Sequence, residues 1–356
     1  MYKLETLEKV GIPPLLNNLH TIEEWKEKRT RILEQWKECL GGFSSLVESR
    51  LKIVSWTVQE DHFRIKVRYS TFLDDWVSAY VLLPRNEQKA EVVTEKDVLE
   101  LLYTDKSDRQ SLFPAVLALH PTSENGKDNI SLSFGRKNRQ YAYELVKRGY
   151  VVLAPDTITA GERLLPGDKP FYTKAFYERH PEWSAVGKMM TDHQQGIGLL
   201  SHFSSVNHEK IGVIGHSLGG YNSYFLAGID QRIKAVVCSC GFATFAQDPE
   251  RHRWGRREWF SHFPKISDFI DNGKVPFEFN EIAALAAPVP FFISMAQNDQ
   301  IFPHWKPSAE CLADLNLLYD WMGEGDKFTS LIGNFGHDFP VEVRTMAYAF
   351  LDRWLK

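Results

Sequence analysis

Little in this 356-residue chain is extreme, and what is scarce narrows the field first. Its four cysteines, Cys39, Cys238, Cys240 and Cys311, are too few to staple a chain of this length as a disulfide framework. Cys238 and Cys240 end the apolar run from Ala235; if extended they share one face about 6.6 Å apart, near the limit for a bridge. They read instead as small buried hydrophobes, and a reducing cytoplasm is the expected compartment. A metal site is not expected, because there is no H-E-x-x-H and no paired C-x-x-C. Positive charge is not in excess: 42 Lys and Arg stand against 46 Asp and Glu, net −4, so nothing recommends a nucleic-acid partner. No apolar run approaches the roughly 20 residues of a membrane helix, and no membrane partner is expected. Met1-Tyr2-Lys3-Leu4-Glu5 lacks the apolar core of a secretory leader. Repeats and low-complexity tracts are absent as well.

What remains is ordinary globular material. With 43% hydrophobic and 25% charged residues, the chain can fill the core of one large α/β domain with additions. From Thr21 to Leu40, Ile22, Trp25, Ile32, Leu33 and Trp36 recur at rough helical spacing before Gly41-Gly42, so residues 1–50 read as a helical extension. Leu51 to Val58, Phe63 to Tyr69 and Trp76 to Leu83 alternate in part and predict antiparallel strands. The charged stretch from Arg85 to Gln110 predicts an excursion around Val98 to Leu102. Beyond Pro114 come short apolar runs suited to buried parallel strands: Ala115 to Leu119, Tyr150 to Pro155, Ile211 to Ile214, Ile233 to Cys240 and Val289 to Met295. Helical segments run from Tyr141 to Arg148, Asp192 to Phe203, Tyr221 to Ala227, Ser308 to Leu315 and Val341 to Leu355. This alternation predicts a doubly wound, mostly parallel sheet across residues 51–356. The block at 242–280, rich in aromatics and arginine, breaks the rhythm. It reads as a small cap insert over the strand ends, or as a contact to a second subunit in a homo-oligomer.

Gly215-His216-Ser217-Leu218-Gly219 matches G-x-S-x-G between an apolar run and a helix-compatible stretch, the setting in which that motif presents a nucleophile. Glycines leave room where the chain reverses too tightly for a Cβ, and the strained turn lifts the Ser217 hydroxyl above the sheet edge. Ser217 needs a base, and the base needs a carboxylate to fix its tautomer; with this turn they follow in the order Ser, Asp or Glu, His. Asp299 lies just past the apolar run ending at Met295, and His337 lies in the loop Gly333 to Asp338 before the last helix. They are the expected acid and base. The competing acids are Asp326, before a last strand-like segment, and Asp338, which would have to reach past its neighbour and suits a helix start better. His216 is the variable elbow position, and His202, His208, His252, His262 and His304 lack a placed partner.

The developing oxyanion needs backbone donors. Leu218 N–H is one; Thr122 N–H supplies the other from the loop His120-Pro121-Thr122-Ser123, since Pro121 has none. His120 is expected to hold that loop. Trp183, Trp254 and Trp259 are candidate pocket walls, with Phe171, Tyr172, Phe176, Tyr177 and Phe260 as further aromatics. Arg251, Arg253, Arg256 and Arg257 could meet an anionic substrate, but a solvated surface is the expected place for them.

With those residues in place, the chain resembles the α/β-hydrolases of the dienelactone hydrolase-like and acetyl xylan esterase-like branch, above all the bacterial group called abhydrolase family 7. The resemblance rests on Gly215 to Gly220, Asp156, Gly161-Glu162-Arg163, Trp183 to Lys188 leading to Asp192, Ala286 to Pro290, Asn298-Asp299 and Gly336 to Pro340. It departs at His120-Pro121, usually His-Gly, and at Pro288-Val289-Pro290, usually Pro-Arg-Pro. It implies an α/β-hydrolase fold and a cofactor-free serine esterase cleaving a small ester through an acyl-enzyme. Peptidase or amidase chemistry of the prolyl oligopeptidase kind stays open, although about 110 N-terminal residues without repeats cannot build a propeller. So do a lactone or dienelactone hydrolase and a hydrolase-fold binding protein without chemistry.

Overall fold

The computed structural model describes residues 1–42, 46–85, 92, 94–104, 112–164 and 167–356. Much of the expected 85–110 excursion thus lies outside the described residues; within it, Glu95–Tyr103 is a helix that buries Val98 and Leu102. The strands, in chain order, are β1 (Tyr2–Lys3), β2 (Leu51–Val58), β3 (His62–Ser70), β4 (Trp76–Pro84), β5 (Phe113–Leu119), β6 (Val151–Pro155), β7 (Val206–His216), β8 (Ala235–Ser239), β9 (Lys274–Val275), β10 (Phe291–Ala296) and β11 (Phe328–Gly333).

Nine of them form one sheet in the order β11-β10-β8-β7-β5-β6-β4-β3-β2. The pairings β2–β3, β3–β4 and β4–β6 are antiparallel, and those from β6 across to β11 are parallel. The chain steps from β5 outward to β6, then returns to lay β7 on the other side of β5. That reversal opens a crevice at the carboxyl ends of β5 and β7, where such sheets place their chemistry.

Side-chain alternation divides the core into two layers. Ala115, Leu117 and Leu119 of β5 pack on one face with Trp36, Leu200 and Phe225. Val116 and Ala118 pack on the other with Tyr141, Leu145 and Leu351. Helices on both faces leave the central strands no solvent side, which is why they read as continuous apolar runs. The Ile22–Leu40 helix starts on a Thr21–Glu24 capping box and buries Trp25, Ile32 and Trp36. Among the described residues no helix is long and apolar enough to cross a membrane.

Residues 242–280 hold the short Pro264–Asp271 helix and β9, which pairs antiparallel with β1 through Tyr2 and Val275. The buried Glu278 carboxylate gathers this segment by accepting N–H bonds from Phe245 at 2.8 Å, Ala246 at 3.1 Å and Phe279 at 2.8 Å. Two-residue strands carry no period, so no pattern along the chain marks the β1–β9 pairing.

Asp156, Arg163 and Asp192 form a buried ion network with Lys127 and Lys188. Lys127 Nζ meets Asp156 at 2.7 Å, and Arg163 meets Asp192 at 2.7 Å. Gly161, at φ 55°, lies so close that a Cβ would fall 2.3 Å from Asp156 Oδ1. These motif residues brace the fold beside the sheet and carry no placement at Ser217.

Candidate active site

Ser217 joins β7 to the Leu218–Ala227 helix with φ 56° and ψ −119°, a region that residues with a Cβ seldom occupy. The reversal is possible because its glycines lack side chains. A Cβ on Gly215 would lie 2.1 Å from the Gly219 carbonyl carbon, and one on Gly219 1.9 Å from Leu119 O. Ser217 N–H donates to Ser239 O at 2.8 Å, which ties the turn to β8.

The structure brings Ser217, His337 and Asp299 into one hydrogen-bonded line. His337 Nε2 lies 2.8 Å from Ser217 Oγ, and His337 Nδ1 lies 2.7 Å from Asp299 Oδ2. The carboxylate can only accept from Nδ1–H, so Nε2 is left as the acceptor for the serine hydroxyl. Asp299 Oδ1 accepts N–H bonds from Ile301 at 2.7 Å and Phe302 at 3.0 Å. Burial pushes the Asp299 carboxyl up, but the bond and charge of His337, with those two N–H groups, hold it below the ordinary carboxylate value. The loops that carry Asp299 and His337 are laced together past the strand ends: Gln297 N–H donates to Gly333 O at 2.9 Å and Asn298 N–H to Phe335 O at 3.1 Å.

The competing acids lie elsewhere. Asp326 pairs with Arg353 at 2.8 Å on the exposed surface. Asp338 turns away from the imidazole to pair with Arg139 and accepts from Asn138 Nδ2 at 2.8 Å.

Thr122 and Ser217 both border a cavity of about 700 Å³. Leu218 is the first helical residue, so its N–H has no intrahelical acceptor. His120 is fully buried; its Nε2 accepts Thr157 N–H at 3.0 Å, which leaves Nδ1–H to donate to Pro121 O at 2.7 Å. Burial lowers the His120 pKa, which keeps the ring in that neutral, doubly used form.

Trp254 and Trp259 line the cavity, together with Phe260. Trp183 does not, which corrects its assignment as a pocket wall. Its indole lies flat on Gly42, where a Cβ would come within 2.1 Å of the ring, and packs on Phe72 at 5.6 Å. It anchors the end of the N-terminal helix. Phe171 packs under Phe260 at 5.4 Å, and the Tyr177 hydroxyl donates to Ser261 O at 2.8 Å, so these two brace the wall from behind. Tyr172 and Phe176 border a separate cavity of about 420 Å³.

The arginines divide. Arg256 pairs with Asp268 at 2.6 Å on the exposed surface, in keeping with expectation. Arg253 and Arg257 instead face the cavity. Arg253 is bonded to Asp248 at 2.7 Å, and Arg257 to Glu250 at 2.7 Å while lying 4.8 Å over Trp259. Neutralised in this way, they are compatible with a wall.

Sequence reasoning passed over several cavity residues. Tyr221, one helical turn beyond Ser217, is hydrogen-bonded to His262 at 2.6 Å, and both face the site. Helical spacing from the nucleophile could have pointed to Tyr221; His262 follows only from the tertiary fold. His216 lies against His337 with ring centroids 4.9 Å apart, and burial holds it well below its ordinary pKa. Cys240 Sγ, Asp299 and His337 offer ligand atoms within 4.8 Å of one another. There Asp299 and His337 already bond to each other, and burial pushes the Cys240 thiol up to about 12. That donor set is poorly prepared for a cation.

Residues 132–310 match the family model described as Dienelactone hydrolase family. YtaP of Bacillus subtilis (strain 168), a protein named as a hydrolase, is 24% identical over 283 residues, 76% of this chain and 91% of that protein. A glucuronoyl esterase from Solibacter usitatus has a similar solved structure, with TM-score 0.67 at 18% identity over 100% of this chain and 98% of its own. A CE15 esterase from the marine bacterial metagenome gives TM-score 0.65 at 15% identity over 96% of each chain. At these identities the two structures speak for the fold, that of the α/β-hydrolases, over essentially the whole length.

Proposed function

The chain belongs to the dienelactone hydrolase family, and from that premise we propose that it is a serine hydrolase of small carboxylic esters. One observation carries the reading: the continuous line from Ser217 Oγ through His337 to Asp299, with contacts of 2.8 and 2.7 Å. Ser217 Oγ attacks the ester carbonyl as its proton passes to His337 Nε2; the carbonyl electron pair moves onto oxygen, facing Leu218 and Thr122 N–H. Collapse expels the alcohol, which takes the proton from His337 and leaves an acyl group on Ser217. Water, deprotonated by His337, repeats the attack and releases the acid. Asp299 fixes the tautomer and offsets the charge of protonated His337. Lactones are cyclic esters and fall within the same chemistry, so the family match brings them into the substrate class.

Short acyl groups should be preferred. The cavity mixes aromatic walls with Arg136, Arg139, Glu250, Arg253 and Arg257, so a long chain would run onto charged side chains. Each CH₂ that fails to reach an apolar wall forfeits about 0.8 kcal/mol. Across p-nitrophenyl esters from two to about sixteen carbons, kcat/KM should peak at acetate to butyrate and then fall. A constant that climbs to the longest chain would point to lipid esters instead. The reading as a whole is tested by incubating the protein with a fluorophosphonate and with a panel of esters, lactones and peptide amides. Labelling of Ser217 with turnover of esters or lactones is expected; turnover of amides alone, or an unreactive Ser217, would refute it.

A further inference from the structure

His337 is the middle residue of a three-residue turn, closed by Asp338 N–H donating to Gly336 O at 2.7 Å. So short a turn has little backbone support of its own, yet the carbonyls of His337, Asp338 and Phe339 are each held by a side chain from outside the turn. Arg139 Nη2 donates to His337 O at 3.1 Å, Cys240 Sγ to Asp338 O at 3.3 Å, and Arg344 Nη1 to Phe339 O at 2.6 Å. Of these three, Arg139 is the one that holds the carbonyl of His337 itself. Its Nη1 pairs with the Asp338 carboxylate and also donates to Asn138 O at 3.0 Å, so one guanidinium spans the carbonyl of His337 and the side chain of the next residue. The neighbouring Asn138, at φ 65°, completes the clamp: its Nδ2 donates to Asp338 at 2.8 Å and its Oδ1 accepts from Arg344 at 2.9 Å.

Arg139 is only 1% exposed, and a buried arginine is costly unless its donors are used; here Nη1 and Nη2 are bonded, while Nε has no partner among the described residues. It also borders the cavity that holds Ser217. A guanidinium suits the task because its planar fork presents two nitrogens at a fixed spacing, one to the carboxylate and one to the carbonyl, where an ammonium offers a single nitrogen. We propose that Arg139 is a positioning residue: by fixing the His337 carbonyl and the Asp338 carboxylate together, it sets the imidazole between Ser217 and Asp299. This rests on the esterase reading above.

The measurement is steady-state kinetics of Arg139→Met and Arg139→Lys, normalised to sites titrated to completion with a fluorophosphonate, beside thermal unfolding. Displacing a catalytic group by about 1 Å can cost about a hundredfold. For Arg139→Met, kcat per titrated site should fall by about that factor with KM within about twofold, and the rate of fluorophosphonate labelling should fall in parallel. Arg139→Lys should recover part of the loss, staying about tenfold below native, because a single nitrogen cannot reproduce the two-point spacing of the fork. It also preserves the test if the methionine variant does not fold. A rise in KM with kcat intact would make Arg139 a substrate contact, and an unchanged kcat per site would make it a purely structural residue; either overturns the proposal. Both require a native protein that is labelled and hydrolytic. A native Ser217 that does not react would refute the esterase reading itself.

Discussion

Replacing Ser217 with alanine is expected to lower kcat for p-nitrophenyl acetate by about a million-fold, or about 8 kcal/mol of barrier. The size follows from the chemistry, since the variant has no oxygen to carry the acyl group and His337 no proton to accept. Folding should survive. Alanine keeps the Cβ and therefore the same backbone strain at φ 56°, and the exchange removes a single side-chain hydrogen bond, that to His337. Such a bond contributes about 1 kcal/mol, so the thermal midpoint should move by only a few degrees. Kinetics with p-nitrophenyl acetate on protein freed of contaminating esterases, together with a melting curve, check both halves. Native-like turnover by the variant would remove Ser217 from the reaction.

The second large effect is expected from Asp299→Asn, at about ten-thousand-fold in kcat. The amide fits the same space, and its oxygen can go on accepting the N–H groups of Ile301 and Phe302. Its NH₂ then faces His337 Nδ1 and favours the tautomer protonated at Nε2, which cannot accept from Ser217 Oγ. Neither can a neutral amide offset the charge of protonated His337. Asp326→Asn is the matched control. That carboxylate pairs with Arg353 on the exposed surface, where such pairs contribute little, and activity should stay within about twofold. If the two variants exchanged behaviour, the acid would be Asp326. Because Asp299 is held below the ordinary carboxylate value, its own titration should stay out of the acidic limb of the pH–rate profile, which should fit one ionisation. Two ionisations in the native limb, reduced to one in the asparagine variant, would show that the carboxyl titrates too.

The parallel strands were legible because burial on both faces leaves apolar runs that need no register to recognise. The elbow was legible because its glycines answer a steric demand that no other residue meets. Helices were clearest where one face is wet. The Ile22–Leu40 helix shows its stripe, whereas the Ala185–His202 helix was read only from Asp192. Its first turns bury Ala185, Val186, Lys188, Met189 and Met190 on every side, so no period marks them. The charged Lys188 and Asp192 there look like surface residues until Arg163 and Asp75 are brought against them. Trp183 misled for a related reason: an indole has the same composition whether it lines a cavity or covers a glycine, and only tertiary contacts separate the two. Arg139 was invisible because nothing local distinguishes it; its partners lie about 200 positions away at His337 and Asp338.

The most direct measurement of the central claim is to mix the protein with p-nitrophenyl acetate, quench in acid within the first turnovers, and locate the acyl group by peptide mass mapping. One acetyl group per active protein, carried on Ser217 and absent from Asp299→Asn quenched at the same time, is the expected result. Turnover with no acyl-protein at any quench time, or an acetyl group lodged kinetically on another residue, would contradict an acyl-enzyme at Ser217.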